Sequence, residues 1–256
     1  MCGFCVVIFK ELPTEETITH ITEASHEALH HRGPDGQKSL QDGAVLFVHN
    51  RLAIIDVVHG DHPLFGPSGE TLIANGEIYN YVEEFAKLDA QGVKTPNHAD
   101  FTPFLYQPET MPARIGALRG MFALCVQDSD MIALARDRFG IKPLYMVENA
   151  QVIAFASQPS AFFAAGFLPK TLRDDVLPAC LYRQFYAGAL SCWQGVERIA
   201  QGEIVTVQSR QKTRTRMTPL LPCPDFHGDY EAAKKAVKDA LWAGNTGWGV
   251  TSSFGK

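Results

Sequence analysis

The sequence predicts an α+β fold in which helices pack as layers on antiparallel sheets. Short apolar runs come in pairs joined by turn residues, which is typical of β-hairpins, and two segments of helical periodicity separate the groups of strands. Hairpins build antiparallel sheets, and an amphipathic helix is stable only when its apolar face packs against another element. The 256 residues suffice for one large domain or two modest ones.

The first half of the chain is predicted to alternate strands and helices. In chain order, the pattern predicts a buried strand at 5–9, a helix at 14–33 with a glycine C-cap, two strands within 44–56, a hairpin at 70–80 that turns at Asn-Gly, and a helix at 80–92. The β-branched run "CVVIF" indicates the first strand, and the apolar spacing of "NYVEEFAKLDAQG" indicates the second helix.

Hairpins dominate the second half of the chain. The pattern predicts hairpins at 120–137 and 143–157, a strand at 202–208 and a helix at 229–244. The basic run "SRQKTRTR" at 209–216 is interpreted as a solvated loop. Prolines between 217 and 228 indicate a linker ahead of the last helix.

Composition argues against several classes of function. The net charge is −5 and no basic block dominates, so nucleic acid is not the expected partner. No apolar segment is long enough to span a bilayer, and charged residues interrupt the first apolar run too early for a signal peptide. The six cysteines are scattered, which does not indicate zinc ligation, and "CGFC" opens a strand rather than a helix as a redox motif would. We therefore expect a cytoplasmic protein with reduced thiols.

The opening "MCGFCVVIFK" places a cysteine directly after the initiator methionine. If Met1 is removed, Cys2 carries a thiol and a free α-amine on one residue, and such a pair can act as nucleophile and base. Asn75 and Gly76 offer a side-chain amide and a backbone N–H that can both donate to one oxyanion. Taken alone, an N-terminal cysteine is more often an inert thiol, and Asn-Gly is more often a hairpin turn.

Two charged residues complete the predicted constellation. Arg51 can clamp a carboxylate bidentately, and Asp100 can receive an ammonium group. With the nucleophile and the oxyanion donors, they would hold an α-amino acid and expose its side-chain carbonyl to attack. An ion pair for Arg51 and a solvated carboxylate or helix cap for Asp100 remain the ordinary alternatives, so the prediction rests on the joint order and spacing of all these residues.

That order resembles a known family. The motifs that carry the resemblance are "MCGF" (1–4), "RGPDG" (32–36), "NRLAIID" (50–56), "NGEIYN" (75–80), "GMFA" (120–123) and "ARDRFGIKPLY" (135–145). From Met1 to about Gln208 the chain resembles the glutaminase domain of class II glutamine amidotransferases, most closely that of glutamine-hydrolysing asparagine synthetases. The resemblance implies a four-layer αββα N-terminal nucleophile (Ntn) hydrolase sandwich with mostly antiparallel sheets. It also implies hydrolysis of L-glutamine to glutamate and ammonia.

The resemblance also implies a role for each site residue. Cys2 matches the nucleophile, and Asn75 with Gly76 matches the oxyanion hole. The substrate-binding matches are Arg51 for the glutamine α-carboxylate, Glu77 for a residue that helps hold glutamine, and Asp100 for the acid that binds the α-amine. Around this last position the chain reads "HADFT" where the family usually reads Ser-Asp-Thr-Glu, and an ungapped placement from Tyr106 would put His98 there instead.

Family members of this type continue into a second domain that uses ATP. The resemblance divides the chain into a class II glutamine amidotransferase domain at 1–208, a linker at 209–228, and a truncated, degenerate start of the ATP domain at 229–256. "GWGVTSSFGK" stands where a pyrophosphate-binding loop is expected and lacks its Gly-Gly and Asp. We expect the glutaminase reaction to need no cofactor or metal, ATP and Mg²⁺ to belong to the missing synthetase half, and ammonia to pass to a synthetase domain or a separate subunit.

Two rival functions remain open. A penicillin or acyl-amide hydrolase would use the same fold, and turnover of free glutamine rather than of N-acyl substrates distinguishes the two. A non-catalytic or regulatory remnant of an asparagine synthetase would act as an interaction module, and it predicts no labelling that depends on Cys2.

Overall fold

Two antiparallel sheets form the centre of the molecule. The computed structural model describes residues 1–176, 178, 181–182, 191–218 and 227–249, without the side chains of 243–249. In order across the sheet, the first sheet contains β10 (Glu197–Arg198), β8 (Tyr145–Glu148), β9 (Val152–Ala156), β1 (Gly3–Phe9), β3 (Val45–Arg51) and β2 (Gly36–Asp42). In order across the sheet, the second contains β12 (Gln211–Arg216), β11 (Glu203–Gln208), β7 (Met131–Arg136), β6 (Gly120–Asp128), β5 (Thr71–Ile78) and β4 (Leu64–Phe65).

Helices cover the outer faces of both sheets. The described helices are α1 (Glu15–Leu29), α2 (Tyr81–Ala90), α3 (Thr102–Leu105), α4 (Met111–Ala117), α5 (Ser160–Ala164) and α6 (Tyr230–Gly249). Leu29 of α1 and Phe162 of α5 pack on the first sheet, and Phe104 of α3 and Ile115 of α4 pack on the second. The order of layers is helix, sheet, sheet, helix, so the predicted four-layer α+β sandwich is confirmed. None of the helices in the described part of the chain has the length and apolar character that a membrane crossing requires.

The central core lies between the two sheets and sets the orientation of every strand. Along β1, Phe4 and Val6 face this core, whereas Cys5 and Val7 face the layer that contains α1. The alternation follows from the two-residue period of a strand. Ile73 of β5 faces the same core from the second sheet.

The alternation continues past the apolar part of the core. Cys2 lies two residues before Phe4, and Asn75 lies two residues after Ile73, so both stay on the face between the sheets. Arg51 lies on the corresponding face at the end of β3. At this end of the sandwich polar side chains replace apolar ones, and the core becomes a cleft.

Several predicted elements are confirmed. The strand at 5–9, the helix at 80–92, the hairpins at 120–137 and 143–157, the strand at 202–208 and the helix at 229–244 all occur at these places, with ends that differ by a few residues. The helix at 14–33 occurs as α1, where Thr14 accepts a hydrogen bond from the N–H of Thr17 at 3.2 Å. It ends at Leu29 and not at Gly33, because a 3₁₀ turn follows it. A Cβ at Gly33 would lie 2.2 Å from the carbonyl oxygen of Asn50, so this glycine permits close approach and does not cap a helix.

Three predictions of local structure were wrong. Residues 70–80 do not form a hairpin that turns at Asn-Gly, because β5 runs continuously through them. Residues 44–56 contain one strand, β3, and the segment after it turns into a loop. The basic run 209–216, interpreted as a solvated loop, contains β12, which pairs with β11 along its whole length.

Candidate active site

A cleft of about 260 Å³ opens at the polar end of the central core. Residues from both sheets line it, together with the loop after β3 and the segment before α3. All six predicted site residues are among its lining residues: Cys2, Arg51, Asn75, Gly76, Glu77 and Asp100. The structure therefore brings together residues that the sequence separates by up to about a hundred positions.

Cys2 is held at the mouth of the cleft by backbone contacts. The N–H of Leu52 donates to its Sγ at 3.3 Å, and Nε of Arg32 donates to its carbonyl oxygen at 3.0 Å. Burial raises the pKa of the Cys2 thiol, although the Leu52 N–H and the nearby N-terminal ammonium oppose that shift. Because the raised pKa keeps the thiol protonated near neutral pH, attack by this sulfur requires a base.

Asn75 presents a buried amide nitrogen that has no hydrogen-bond partner. Its residue is 1% exposed, and its Nδ2 makes no hydrogen bond in the structure. A buried donor without a partner costs about 1–3 kcal/mol, so such a group usually serves a ligand. Continuous pairing with β6 fixes its position, because Asn75 lies opposite Ala123 in the ladder.

Gly76 lies where two backbones approach closely. A Cβ at this position would meet the carbonyl oxygen of Met121 at 2.2 Å. The glycine is therefore needed for the close pairing of β5 with β6, and not for a turn. The same close pairing keeps the backbone of Gly76 at the wall of the cleft, beside Asn75.

Arg51 lines the cleft, but its terminal nitrogens already bind the loop that follows β3. Its Nη1 donates to the carbonyl oxygen of Val57 at 2.9 Å and to Oδ1 of Asp61 at 2.7 Å. Its Nη2 donates to the carbonyl oxygens of Asp56 at 2.7 Å and of Ile55 at 3.3 Å. The guanidinium therefore holds the loop and gives the cleft a buried positive charge, and a substrate carboxylate would have to share its terminal donors.

Asp100, and not His98, lies in the cleft. Asp100 is 8% exposed, and its Oδ2 accepts a hydrogen bond from the N–H of Ile78 at 2.7 Å. Burial raises the pKa of its carboxyl to about 7, with a smaller contribution from the nearby Glu77. His98 is exposed, and its ring packs against Phe85 on the outer side of α2.

Two further polar residues of the cleft were not predicted. Lys142 is 6% exposed, and burial lowers the pKa of its ammonium, while the neighbouring Glu77 and Cys2 oppose that shift. It lies in the irregular segment before β8 and lines the cleft. His62 lies in the loop after β3, and neither of its ring nitrogens has a partner. Among the described residues no three His, Cys, Asp or Glu side chains converge as a metal site would require.

The comparisons with known proteins agree with this geometry. The solved structure of glutamine phosphoribosylpyrophosphate (PRPP) amidotransferase from B. subtilis, complexed with ADP and GMP, superposes with a TM-score of 0.63 over 85% of this chain and 49% of that chain, at 16% identity. The layered sandwich with this cleft defines an Ntn hydrolase fold. The family model described as a glutamine amidotransferase domain matches residues 1–218. The chain belongs to this family, that of the class II glutamine amidotransferases.

Several similar curated proteins are asparagine synthetases. The chain is 33% identical over 174 residues to "Asparagine synthetase [glutamine-hydrolyzing] 2" of Bacillus subtilis, covering 66% of this chain and 23% of that protein. It is 40% identical over 152 residues to "Putative asparagine synthetase [glutamine-hydrolyzing]" of Mycobacterium tuberculosis strain H37Rv, covering 54% and 23%. The chain thus spans about a quarter of the length of the curated relatives it matches.

Proposed function

We propose that the chain hydrolyses L-glutamine to glutamate and ammonia, with Cys2 as nucleophile after removal of Met1. One observation carries the proposal: the Cys2 thiol and the unpartnered amide nitrogen of Asn75 line the same cleft. A nucleophile beside a fixed, unused hydrogen-bond donor is the arrangement that acyl transfer from an amide needs.

The reaction proceeds in two balanced steps. Sγ of Cys2 attacks the side-chain amide carbon, and the thiol proton passes through the freed α-amine to the departing nitrogen, which leaves as ammonia. Water then attacks the glutamyl thioester, and glutamate leaves as the thiol is restored. Asn75 and Gly76 donate to the oxyanion of each tetrahedral intermediate.

The remaining cleft residues hold the amino-acid end of glutamine. The α-ammonium binds Asp100 and Glu77, and its positive charge favours the ionised form of the Asp100 carboxyl, whose pKa burial has raised. The positive charge of Arg51 attracts the α-carboxylate. Lys142 lies near both Cys2 and Glu77, where its charge stabilises the thiolate that forms during attack.

The ammonia is used in amide synthesis of the asparagine type. The support for this part is the resemblance to asparagine synthetases, of which this chain covers only about a quarter. The glutaminase step itself uses no cofactor. ATP and Mg²⁺ bind a synthetase domain or subunit, and residues 229–256 correspond to a degenerate start of such a domain. The reaction takes place in the cytoplasm, where thiols remain reduced.

Intact-mass measurement tests the glutaminase proposal. The purified wild type and Cys2→Ala are treated with a diazo-ketone analogue of glutamine. We expect loss of Met1 and one adduct on the wild type, and no adduct on Cys2→Ala. A wild type that retains Met1 or takes up no label at Cys2 contradicts the proposal and favours the non-catalytic remnant. Turnover of N-acyl substrates without turnover of free glutamine favours the acyl-amide hydrolase.

A further inference from the structure

His62 is a buried polar side chain at the cleft whose hydrogen-bonding capacity is unused. It lines the cleft and is 8% exposed, and both of its ring nitrogens lack a partner. An imidazole with two unsatisfied nitrogens is costly in a protein interior unless a ligand completes it. Asn75, whose Nδ2 also lacks a hydrogen-bond partner, lines the same cleft.

Aromatic neighbours fix the plane of the His62 ring. It stacks on the ring of His49 with centroids 4.6 Å apart and an interplanar angle of 25°, and it meets Phe101 edge-on at 6.2 Å. His49 is itself fixed, because its Nε2 lies 2.9 Å from the carbonyl oxygen of Ala74 and must donate to it. The His62 ring is therefore held in place by its aromatic neighbours, and both of its nitrogens are buried without a hydrogen-bond partner in the protein.

The charge of its surroundings decides what His62 can offer. Burial lowers the pKa of the His62 imidazolium well below its usual value, and the nearby His49 and Arg51 act in the same direction. A neutral imidazole has one N–H donor and one acceptor nitrogen. At physiological pH His62 therefore supplies a hydrogen bond but no charge.

Arg51 offers what His62 lacks, a positive charge, but has no unused terminal N–H donor. It supplies a buried positive charge close to His62, but its terminal nitrogens bind the loop carbonyls and Asp61. A carboxylate in this part of the cleft gains attraction from the guanidinium and still needs a hydrogen-bond donor that is not already used. We propose that His62 is that donor: its ring N–H binds the α-carboxylate of glutamine, so that His62 and Arg51 together select substrates with a free carboxylate. This inference rests on the proposed glutaminase function.

The test combines two variants with two substrates. His62→Phe keeps an aromatic ring against His49 and removes both nitrogens, whereas His62→Gln keeps a neutral N–H donor. Glutamine is compared with glutaminamide, in which a neutral amide replaces the α-carboxylate. His20→Phe, on the exposed face of α1 and outside the cleft, is the matched control. Thermal melting of every variant, and His62→Leu as a second apolar replacement, guard against loss of the fold.

We expect His62→Phe to raise the KM for glutamine about 10- to 100-fold with little change in kcat, because a hydrogen bond to a charged group of the bound substrate is lost. The KM for glutaminamide should change little, so the preference for the free carboxylate should fall by the same factor. His62→Gln should retain most of that preference, and His20→Phe should retain all of it.

The two possible failures can be told apart. An active wild type together with a folded His62→Phe or His62→Leu that keeps the full preference for glutamine overturns the role of His62 alone. A wild type without Met1 that neither hydrolyses nor binds glutamine overturns the glutaminase proposal, and the role of His62 with it. A selective loss of preference in the folded apolar variants supports the inference.

Discussion

At the scale of single residues, the cleft lies on the same strand faces as the central core, but polar side chains line it in place of apolar ones. Phe4 of the first sheet and Ile73 of the second sheet both point into the core between the sheets. Two residues further along the same faces, towards the cleft, lie Cys2 and Asn75. The positions of both polar residues are fixed by antiparallel strand pairing, which begins at Gly3 next to Cys2 and includes Asn75. A polar group held in this way loses little conformational entropy when it engages a transition state, which is the condition for electrostatic preorganisation.

Asn75 gives the most direct prediction for activity. If the Asn75 amide binds the oxyanion as proposed, Asn75→Ala should lower kcat for glutamine about 100- to 1,000-fold with little change in KM. The same substitution removes a buried donor that has no partner, and with it the cost of leaving that donor unpaired. The melting temperature should therefore fall less than it does for a typical truncation of a buried side chain. Steady-state kinetics of protein whose mass confirms removal of Met1 measures the first effect. Asn75→Asp keeps the size and loses the donor, and equal activity of this variant and the wild type would contradict the role.

Asp100 gives a prediction about pH and stability. Its carboxyl has a pKa of about 7 in the folded protein against a reference value of 3.8, and burial is the main cause. Between these two pH values the unfolded chain releases the proton and the folded chain retains it, so the free energy of unfolding falls as pH rises through this window.

Asp100→Asn removes this titration and keeps an acceptor for the Ile78 N–H. The variant should therefore gain stability relative to the wild type by on the order of 2–4 kcal/mol at about pH 8, and the gain should vanish near about pH 4. Chemical denaturation at both pH values measures it, with Asp89→Asn on the exposed surface of α2 as control. A gain that is equal at both pH values would show that the carboxyl is not buried in its neutral form.

The sequence revealed part of the site, and the missing part has a physical reason. Short motifs mark Cys2 and Asn75 in the sequence, and Asp100 is matched by its distance from Gly92 although the family motif is absent there. All three line the cleft, and nothing in the sequence indicated that Nδ2 of Asn75 would be left without a partner. His62 could not be predicted, because its significance arises from the absence of hydrogen bonds in a packed environment. The shared use of Arg51 by its own loop is equally invisible in the sequence, since it depends on where the loop folds back.

At the scale of elements, β5 illustrates how tertiary pairing overrides a local signal. Asn-Gly between apolar runs favours a two-residue turn when the flanking strands pair with each other. Here each flank pairs instead with β6, so the ladder runs unbroken past both residues. The glycine serves close packing, and the asparagine faces the cleft. The local rule failed at the wall of the cleft, and departures from local rules are expected where a sequence serves a function.

Gly76 gives a prediction that distinguishes a glycine required for a turn from a glycine required for the close pairing of β5 with β6. Gly76→Ala would place a Cβ 2.2 Å from the carbonyl oxygen of Met121, so we expect a loss of stability on the order of 2–4 kcal/mol. Gly116→Ala on α4 is the matched control, because a Cβ there meets nothing within 4 Å and alanine favours a helix. Urea denaturation of both variants measures the difference. A Gly76→Ala protein as stable as the control would mean that β5 and β6 do not pair closely at this point.

The basic run that contains β12 is a second segment in which tertiary pairing decides the structure against the local signal. Its sequence reads as a solvated segment because positive residues alternate with polar ones, and that alternation is also the period of an edge strand. Lys212 pairs with Glu148 and Arg214 with Glu197, two acids that belong to strands of the first sheet. β12 therefore extends the second sheet and also connects it to the first through charged side chains.

At the scale of the whole molecule, the four layers were predictable from the sequence only through the resemblance. Periodicity predicted most strands and the longer helices, but it could not assign them to two sheets or give the order of strands. That order depends on pairings between distant segments, such as β1 with β9 and β5 with β6, which no local pattern encodes. The short helices α3 and α4 were not predicted, because their few turns owe their stability to burial against the second sheet.

The extent of the folded unit gives the last prediction. A chain that ends at residue 208 loses β12, exposes β11 as an unpaired edge and breaks the ion pairs that connect the two sheets. A chain that ends at 218 keeps all of these and removes only the segment that contains α6, whose residues Tyr230, Val237 and Trp242 are largely exposed. We therefore expect the 1–218 chain to match the full chain in melting temperature and in labelling by the glutamine analogue.

The 1–208 chain should melt at a lower temperature or aggregate, because an unpaired β-strand edge recruits other chains. Parallel thermal melts and size-exclusion chromatography of the three chains measure this. Equal behaviour of the 1–208 and 1–218 chains would place the end of the folded unit before β12 and would make this strand dispensable. Loss of the fold in the 1–218 chain would instead mean that α6 stabilises the sandwich, despite the exposure of its described side chains.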